Sequence, residues 1–223
     1  KSKRKTNREI EKTNLIAMKQ KHFIDIHKGA TFFAVILLIW YYQQFDNYTA
    51  WVYLAIHGSY GIMWVAKSFI FPDKTWEANC SIWYGFYMWF GLTLYWISPY
   101  LIMSQSISNS PLYLGFIILL FIIGSFLHFS ADMQKFIQLQ TAPNKLISNG
   151  LMSRCRNINY FGELLIYLSF AAMSKHWIPF LVLFLFIVII WLPNMFKKDR
   201  SLSKYPEFED YKNRSYFFIP FIW

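Results

Sequence analysis

The chain has 223 residues, of which 56% are hydrophobic, 22% are aromatic and only 15% are charged. Because roughly a quarter of the residues of a soluble domain are charged, this composition excludes an ordinary soluble domain and indicates a chain that mostly contacts lipid. It also excludes a disordered chain, a collagen-like repeat and a disulfide-rich scaffold. The two cysteines, Cys80 and Cys155, are far apart in the chain, and we expect both to be reduced thiols.

Six apolar runs approach the roughly 20 residues that a helix needs to cross a bilayer. None of them alternates between apolar and polar residues, as the wall of a membrane β-barrel does. The pattern therefore predicts an all-α, multi-pass membrane bundle with about six transmembrane helices. The runs cover residues 30–42, 48–71, 81–103, 111–129, 158–173 and 177–196.

The basic residues predict the orientation of this bundle. Of the 22 lysines and arginines, all but Lys175 fall in segments that six crossings place on one side of the membrane. The positive-inside rule then puts both termini on that side, which is of cytoplasmic or matrix type. We divide the chain into a basic amphipathic segment at residues 1–29, N-terminal transmembrane helices at residues 30–133, and a C-terminal part at residues 134–223.

The net charge of +10 comes largely from the first of these segments. Residues 1–29 mix basic with apolar side chains, and we expect them to lie on an anionic membrane surface. An arm that docks on a protein partner is the alternative. No base-reading or stacking motif accompanies the charge, so the sequence predicts no nucleic-acid partner.

No phosphate-binding loop, dinucleotide glycine fingerprint, zinc-ligand spacing or serine-elbow motif occurs. We therefore predict no metal site. Carboxylates near lipid are costly and mark either a functional site or an ion pair. Two stand out: Asp132 just after the fourth run, and Glu163 one turn into the fifth.

Each of these carboxylates has a polar neighbour four residues earlier, His128 for Asp132 and Asn159 for Glu163, which puts each pair on one helix face. With the guanidinium groups of Arg154 and Arg156 nearby, such a set suits a ligand that carries phosphates together with amide or ribose groups. The alternative to a ligand site is that both carboxylates form structural ion pairs.

In that alternative, two ion pairs seal the helix ends. Asp132 would pair with Lys135, and Glu163 would pair with Arg156. The spacing does not decide between the two interpretations.

A second polar cluster lies in the run at residues 48–71. Tyr60, Trp64 and Lys67 share one helix face, and His57 precedes them by one turn. Tyr60 or His57 is a candidate donor that polarises a substrate carbonyl. The alternative for His57 is a hydrogen bond between helices.

Two segments carry a resemblance to a known family. Residues 150–163, GLMSRCRNINYFGE, resemble the C-terminal signature of the steroid 5-alpha-reductase family, and the ending with FEDY at residues 208–211 and IPFIW at residues 219–223 is similar to the family's ending. The resemblance implies an all-helical membrane enzyme that binds NADPH and reduces a carbon–carbon double bond conjugated to a carbonyl. It implies cofactor contacts from Asn159, Tyr160, Glu163, Arg156, Asp132, Asp199, Arg200 and Tyr211. His128 is assigned to the same site from its spacing with Asp132.

The sequence departs from the family pattern at Met152, where tryptophan is usual, and at Asn157 and Ile158, where histidine and proline are usual. A second hypothesis is therefore a catalytically retired relative that serves as an accessory subunit of a larger membrane complex. A third is a relative of the isoprenylcysteine methyltransferases, which the NYFGE run at residues 159–163 fits less well.

We expect membrane lipids and, for an enzyme, a hydrophobic unsaturated substrate as partners. The resemblance places an active reductase in the endoplasmic reticulum. The accessory-subunit hypothesis favours the mitochondrial inner membrane.

Overall fold

The computed structural model describes residues 18–223, and this part of the chain is mostly helical. The chain also has two 3₁₀ turns, at Leu94–Trp96 and Gly150–Ser153, and one π-helical turn at Ile187–Trp191. The helices are α1 Gln20–Tyr41, α2 Tyr48–Ile70, α3 Ile82–Thr93, α4 Ile97–Ser104, α5 Pro111–Thr141, α6 Ile158–Met173, α7 Trp177–Phe186, α8 Leu192–Leu202 and α9 Phe208–Asn213.

A two-stranded sheet is the one departure from the all-α prediction within residues 18–223. Strand β1 (Met18–Lys19) pairs antiparallel with β2 (Asn79–Cys80), so that Met18 lies opposite Cys80. The side chains of Lys19 and Lys21 both pair with Glu77. The start of α1 is thereby held against the loop that follows α2.

The first helix begins at Gln20, ten residues before the run predicted at residue 30. Phe23, Ile24, His27, Lys28 and Thr31 are all buried at helical spacing, but three of them are polar, so the apolar pattern stops short of them. The predicted membrane-surface segment at residues 1–29 thus overlaps α1. Its residues 1–17 lie outside the described part of the chain.

The other runs agree with the helices to different degrees. Residues 158–173 match α6, and residues 48–71 match α2 within one residue. The run at residues 111–129 is too short, because α5 continues to Thr141. Asp132 therefore lies inside α5. The predicted boundary between the N-terminal helices and the C-terminal part, at residue 133, also lies inside this helix.

Prolines explain two irregular turns. Pro99 cannot donate to the carbonyl four residues earlier, and the chain tightens into the 3₁₀ turn between α3 and α4. Pro193 similarly lacks the donor for the carbonyl of Ile189, inside the π-helical turn between α7 and α8. Both interruptions leave the helical path continuous.

Three of the helical stretches are long and apolar enough to cross a membrane: Gln20–Tyr41, Pro111–Thr141 and Trp177–Leu202. Helix α6 is apolar but shorter. These helices indicate a membrane protein. The count of about six crossings and the side on which the termini lie stay predictions.

The loops make contacts at both ends of the helices, with one another and with helix residues. At one end, the Asn47 side chain donates to the carbonyl of Ile107 (3.1 Å), and Asn109 donates to that of Met173 (2.9 Å). At the other end, Lys135 pairs with Asp73 (2.8 Å). Asp73 is outside the helices, and although burial raises its pKa, the attraction of Lys135 prevails and lowers that pKa to about 2.

Helices α5 and α6 are in contact along most of their length, and two glycines set the distance between them. A Cβ on Gly124 would lie 2.7 Å from the carbonyl oxygen of Gly162, and a Cβ on Gly162 would lie 2.5 Å from the backbone nitrogen of His128. Small residues allow this close approach of two helices in a membrane. The contact brings the polar residues of the two helices to the same level.

We predict that Gly124→Ala destabilises the protein by about 1–3 kcal/mol, because its methyl group overlaps the backbone of α6. Gly115→Ala is the matched control on the same helix, since a Cβ there has no atom within 4 Å. Thermal unfolding in mild detergent measures both. Equal unfolding temperatures for the two variants would contradict this account of the helix contact.

Candidate functional site

Four polar side chains from three helices meet where the end of α2 and the start of α6 lie beside the middle of α5. Lys67 and Asp132 form an ion pair, the Asn159 amide donates to the other Asp132 oxygen (3.2 Å), and the His128 ring lies 3.9 Å from Asp132. We call Lys67, His128, Asp132 and Asn159 the Asp132 group. The predicted convergence of the His128–Asp132 and Asn159–Glu163 faces is therefore seen in the structure.

The Asp132 group is not fully satisfied by its own hydrogen bonds. The Oδ1 atom of Asn159 and the Nε2 atom of His128 are buried and have no hydrogen-bond partner within residues 18–223. The other ring nitrogen of His128 contacts the Asn159 carbonyl oxygen (3.2 Å). A buried polar atom without a partner is costly, so a water or polar ligand bound at these atoms would lower that cost.

A second set of polar side chains lies one turn deeper. The Tyr60 hydroxyl is 3.5 Å from the Glu163 carboxylate, and the Lys28 ammonium donates to the Tyr167 hydroxyl (2.5 Å). We call Lys28, Tyr60, Glu163 and Tyr167 the Glu163 group. Glu163 follows Asn159 by four residues on the same face of α6, so the two groups are neighbours.

The indole of Trp64 joins the two groups. Its ring stacks on His128 with centroids 5.8 Å apart, and the ammonium groups of Lys67 and Lys28 lie 4.6 and 4.9 Å from the ring centroid. Cations are stabilised over an indole face. This arrangement holds two buried lysines in place.

His57 lies apart from the Glu163 carboxylate. Its Nδ1 atom is 2.9 Å from the Tyr53 hydroxyl, and its ring stacks on Phe170 at 4.1 Å. Of the two predicted donors, Tyr60 is the one that contacts Glu163.

The segment at residues 150–157 binds the C-terminal tail. Arg156 donates to Asp199 (3.1 Å) and to the backbone carbonyls of Lys212 (3.1 Å) and Ser215 (2.7 Å). The Asn157 amide donates to the carbonyl of Phe217 (2.8 Å). We call these contacts of Arg156 and Asn157 the tail clasp.

Two further side chains tie the same segment to the tail. The Tyr211 hydroxyl donates to the Met152 carbonyl (2.6 Å), and the Cys155 thiol contacts the Phe218 carbonyl (3.2 Å). Burial raises the pKa of the Cys155 thiol, and Cys80 is also a free thiol. The departures at Met152 and Asn157 therefore lie at positions that hold the tail.

The two structural ion pairs suggested by the sequence are wrong in their partners. Asp132 pairs with Lys67 rather than Lys135, and Arg156 pairs with Asp199 rather than Glu163. Each of these pairs joins residues more than 40 positions apart in the chain. Spacing along one helix could not reveal them.

The remaining predicted cofactor residues make other contacts. Tyr160 packs against Trp191 with ring centroids 5.8 Å apart, and Arg200 is exposed. Asp199 keeps one buried oxygen, Oδ1, without a hydrogen-bond partner among the described residues. Tyr211 is engaged in holding the tail.

A small cleft of about 10 Å³ lies between the start of α1, the end of α2 and the loop that follows α2. Its lining includes Trp64, Lys67, Asp73 and Trp76. Lys67 is the member of the Asp132 group that lines this cleft, and it also pairs with Asp132.

Sequence reasoning missed Lys28, Tyr167 and the role of Lys67 as partner of Asp132. Tyr167 follows Glu163 by four residues, a spacing that was available in the sequence. Lys28 was assigned to a surface segment because the start of α1 was placed too late.

The chain matches the model of the family described as 3-oxo-5-alpha-steroid 4-dehydrogenase over residues 74–223. Since the match covers more than half of the chain, the protein belongs to this family. The resemblance in residues 150–163 and in the tail is thereby confirmed. No individual curated protein matches the chain significantly.

The family match covers only part of the candidate site. Asp132, Asn159, Glu163 and the tail clasp lie inside it, whereas α1 and α2, which supply Lys28, Tyr60 and Lys67, precede it.

We predict that Lys67→Met destabilises the protein by about 3–5 kcal/mol, because it leaves the buried Asp132 carboxylate without its partner charge. The double variant Lys67→Met with Asp132→Asn should regain much of that loss, since no buried charge then remains unpaired. Lys74→Met, at an exposed loop position, is the control. Unfolding in detergent measures all three, and a double variant less stable than Lys67→Met would contradict the ion-pair interpretation.

We predict that Arg156→Ala releases the tail, because it removes hydrogen bonds from a charged donor that are worth about 1.5–3 kcal/mol each. Tryptic cleavage after Lys204 and Lys212 should accelerate. The neighbouring Arg154 has an exposed side chain, so Arg154→Ala should be cleaved at the wild-type rate. Equal rates for both variants would contradict the role given to Arg156.

Proposed function

We propose that the protein is a membrane-embedded, NADPH-dependent reductase of a carbon–carbon double bond conjugated to a carbonyl, in a lipid or steroid-like enone. The observation that carries this proposal is the meeting of the buried Asp132 with the half-buried Asn159 and Glu163, with Tyr60 in contact with Glu163. Membership of the family supports the same class of reaction.

The unpaired atoms of the Asp132 group fit the cofactor. A nicotinamide carboxamide carries both donors and an acceptor, which complement the free acceptor on Asn159 and the free ring nitrogen on His128. Asp132 and Lys67 orient Asn159 through its amide. When bound, NADPH supplies the hydride.

Arg156 supports the site indirectly in this proposal. Its guanidinium is occupied by Asp199 and by the tail, so it positions the tail instead of holding phosphate. Arg200 and Arg154 have exposed guanidinium groups and are the better candidates for phosphate contacts. Tyr211 then acts with Arg156 in holding the tail closed.

The substrate side of the site belongs to the Glu163 group. A hydroxyl donor beside the substrate carbonyl stabilises the negative charge that develops on its oxygen. We assign this environment to Tyr60, with Glu163 as its neighbour, and assign His57 a supporting position behind Phe170. The buried setting excludes water from the path of the hydride.

The internal contacts also favour a second candidate, an accessory subunit of a larger membrane complex such as a mitochondrial one. The polar groups of Arg156, Asn157 and Tyr211 are bound within the chain, as expected where a former site has become structural. Under the first proposal the membrane is the endoplasmic reticulum, and under the second it is the mitochondrial inner membrane.

We predict that NADPH raises the unfolding temperature of the detergent-purified protein. A ligand at 100 times its dissociation constant adds about 2.7 kcal/mol of stability to the form that binds it. Asn159→Ala and Glu163→Ala should lose this increase, because each removes a polar group from the proposed site.

The controls are Asp46→Ala and Gln105→Ala, which change exposed side chains in loops at the opposite end of the helices and should keep the full increase. Each variant is compared with and without NADPH, so a change in its basal stability does not enter the result. No response of the wild type at millimolar NADPH would favour the accessory-subunit function.

A further inference from the structure

Residues 218–223 of the tail fold back on themselves into a small closed loop. The backbone N–H groups of Phe218 and Ile219 both donate to the carbonyl oxygen of Trp223 (2.7 and 2.8 Å), and the N–H of Trp223 donates to the Ile219 carbonyl (3.0 Å). The Trp223 ring packs against that of Phe217, with centroids 5.2 Å apart. We call residues 218–223 the tail loop. Because its backbone is held by its own hydrogen bonds, its outward side chains have fixed positions.

Two large apolar side chains project from the tail loop. Phe221 and Ile222 are 80% and 78% exposed. The backbone of Phe221 has a φ of 67°, in the left-handed region that is unfavourable for a residue with a bulky side chain. A strained backbone that persists is a reason to look for a function. Neighbouring exposed apolar side chains mark a contact with a protein or a membrane.

The tail loop lies beside the end of an apolar helical stretch. Trp177–Leu202 is long and apolar enough to cross a membrane, and after Phe196 its side chains become charged, at residues 197–200. Charged residues at the end of an apolar span mark the membrane surface. The ring of Phe217, which precedes the tail loop, stacks on that of Phe196 with centroids 4.9 Å apart. This stacking places the tail loop near the level at which the hydrocarbon ends.

Exposed basic side chains accompany the tail loop. Lys197 follows Phe196 directly, and Arg214 lies two residues before Tyr216, whose ring is 5.9 Å from that of Phe221. The side chains of Lys197 and Arg214 are both exposed. Lysine and arginine next to exposed apolar side chains are typical of a contact with anionic lipid. The charge of this region therefore favours a lipid surface as the partner.

We propose that the tail loop inserts Phe221 and Ile222 into the interface of the bilayer that surrounds the spanning helices. Lys197 and Arg214 then contact anionic headgroups. The Asn157 amide already holds the carbonyl of Phe217 just before the tail loop, so the lipid contact adds to the tail clasp. Anionic lipid thereby stabilises the bound position of the tail, and this contact requires neither NADPH nor catalysis.

Fluorescence quenching in lipid nanodiscs tests the insertion. The variant Ile222→Cys carries an environment-sensitive fluorophore in a Cys80→Ser background, where the remaining Cys155 is buried and stays unlabelled. The nanodiscs contain phosphatidylcholine and phosphatidylglycerol. Lipids with a nitroxide on the acyl chain close to the headgroup should quench the label about twofold or more, because an inserted loop lies at that depth.

The matched control is Glu209→Cys in the same background. Glu209 is an exposed acidic residue of α9, and an anionic surface repels such a position. Its label should be quenched much less than the label at Ile222→Cys. Equal quenching at the two positions would overturn the proposal and would favour a protein partner or a second copy as the cover of the tail loop.

The lipid composition tests the headgroup contact. Nanodiscs of phosphatidylcholine alone should quench the label at Ile222→Cys less, and so should added salt, because salt screens the attraction. The double change Lys197→Gln with Arg214→Gln should abolish the difference between the two lipid compositions. Lys74→Gln with Lys145→Gln removes the same charge from exposed loop positions and should keep the difference. A difference that survives the first pair would contradict the headgroup contact.

The variant Phe221→Asn separates insertion from backbone strain. Asparagine adopts the left-handed conformation more readily than phenylalanine, so without a lipid contact this variant would hold its tail at least as firmly as the wild type. With insertion, the apolar anchor is lost, and tryptic cleavage after Lys204 and Lys212 in the nanodiscs should become about fivefold faster or more. Phe221→Trp keeps an aromatic anchor and should be cleaved at about the wild-type rate. Cleavage of Phe221→Asn at or below the wild-type rate would overturn the proposal.

Discussion

The ion pair between Lys67 and Asp132 is the constraint on which the rest of the site depends. Two charges buried between helices are costly unless they meet, so their pairing sets the register of α2 against α5. The second Asp132 oxygen binds Asn159 and extends the same constraint to α6. Gly124 and Gly162 make the contact close enough for this network to form.

Two consequences follow from that register. The Glu163 group comes to lie one helical turn below, where Lys28 is held by Tyr167 and by the aromatic rings around it. The signature segment before α6 is placed beside the tail, where Arg156 and Asn157 bind it. The site thus has a polar end near the tail and an aromatic end around Lys28 and Tyr167.

Whether the sequence could predict an interaction depends on how far apart in the chain the two residues are. Helix α6 and the shared faces of His128 with Asp132 and of Asn159 with Glu163 depend on local periodicity, and the structure agrees with them. The partners of Asp132 and Arg156 are distant in the chain, so spacing suggested the wrong ones. The burial of Lys28 was not predicted, because the first turns of α1 bury polar residues and a search for apolar residues does not detect such a helix.

The central claim is that the Asp132 group and the tail form one cofactor site, and hydrogen–deuterium exchange with and without NADPH tests it most directly. Bound cofactor should slow amide exchange at residues 150–163 and in the tail at residues 203–218, since both segments would be held together more tightly. Exchange at the opposite loops, residues 42–47 and 105–110, should stay unchanged. Unchanged exchange throughout at millimolar NADPH, or protection confined to those opposite loops, would contradict the claim.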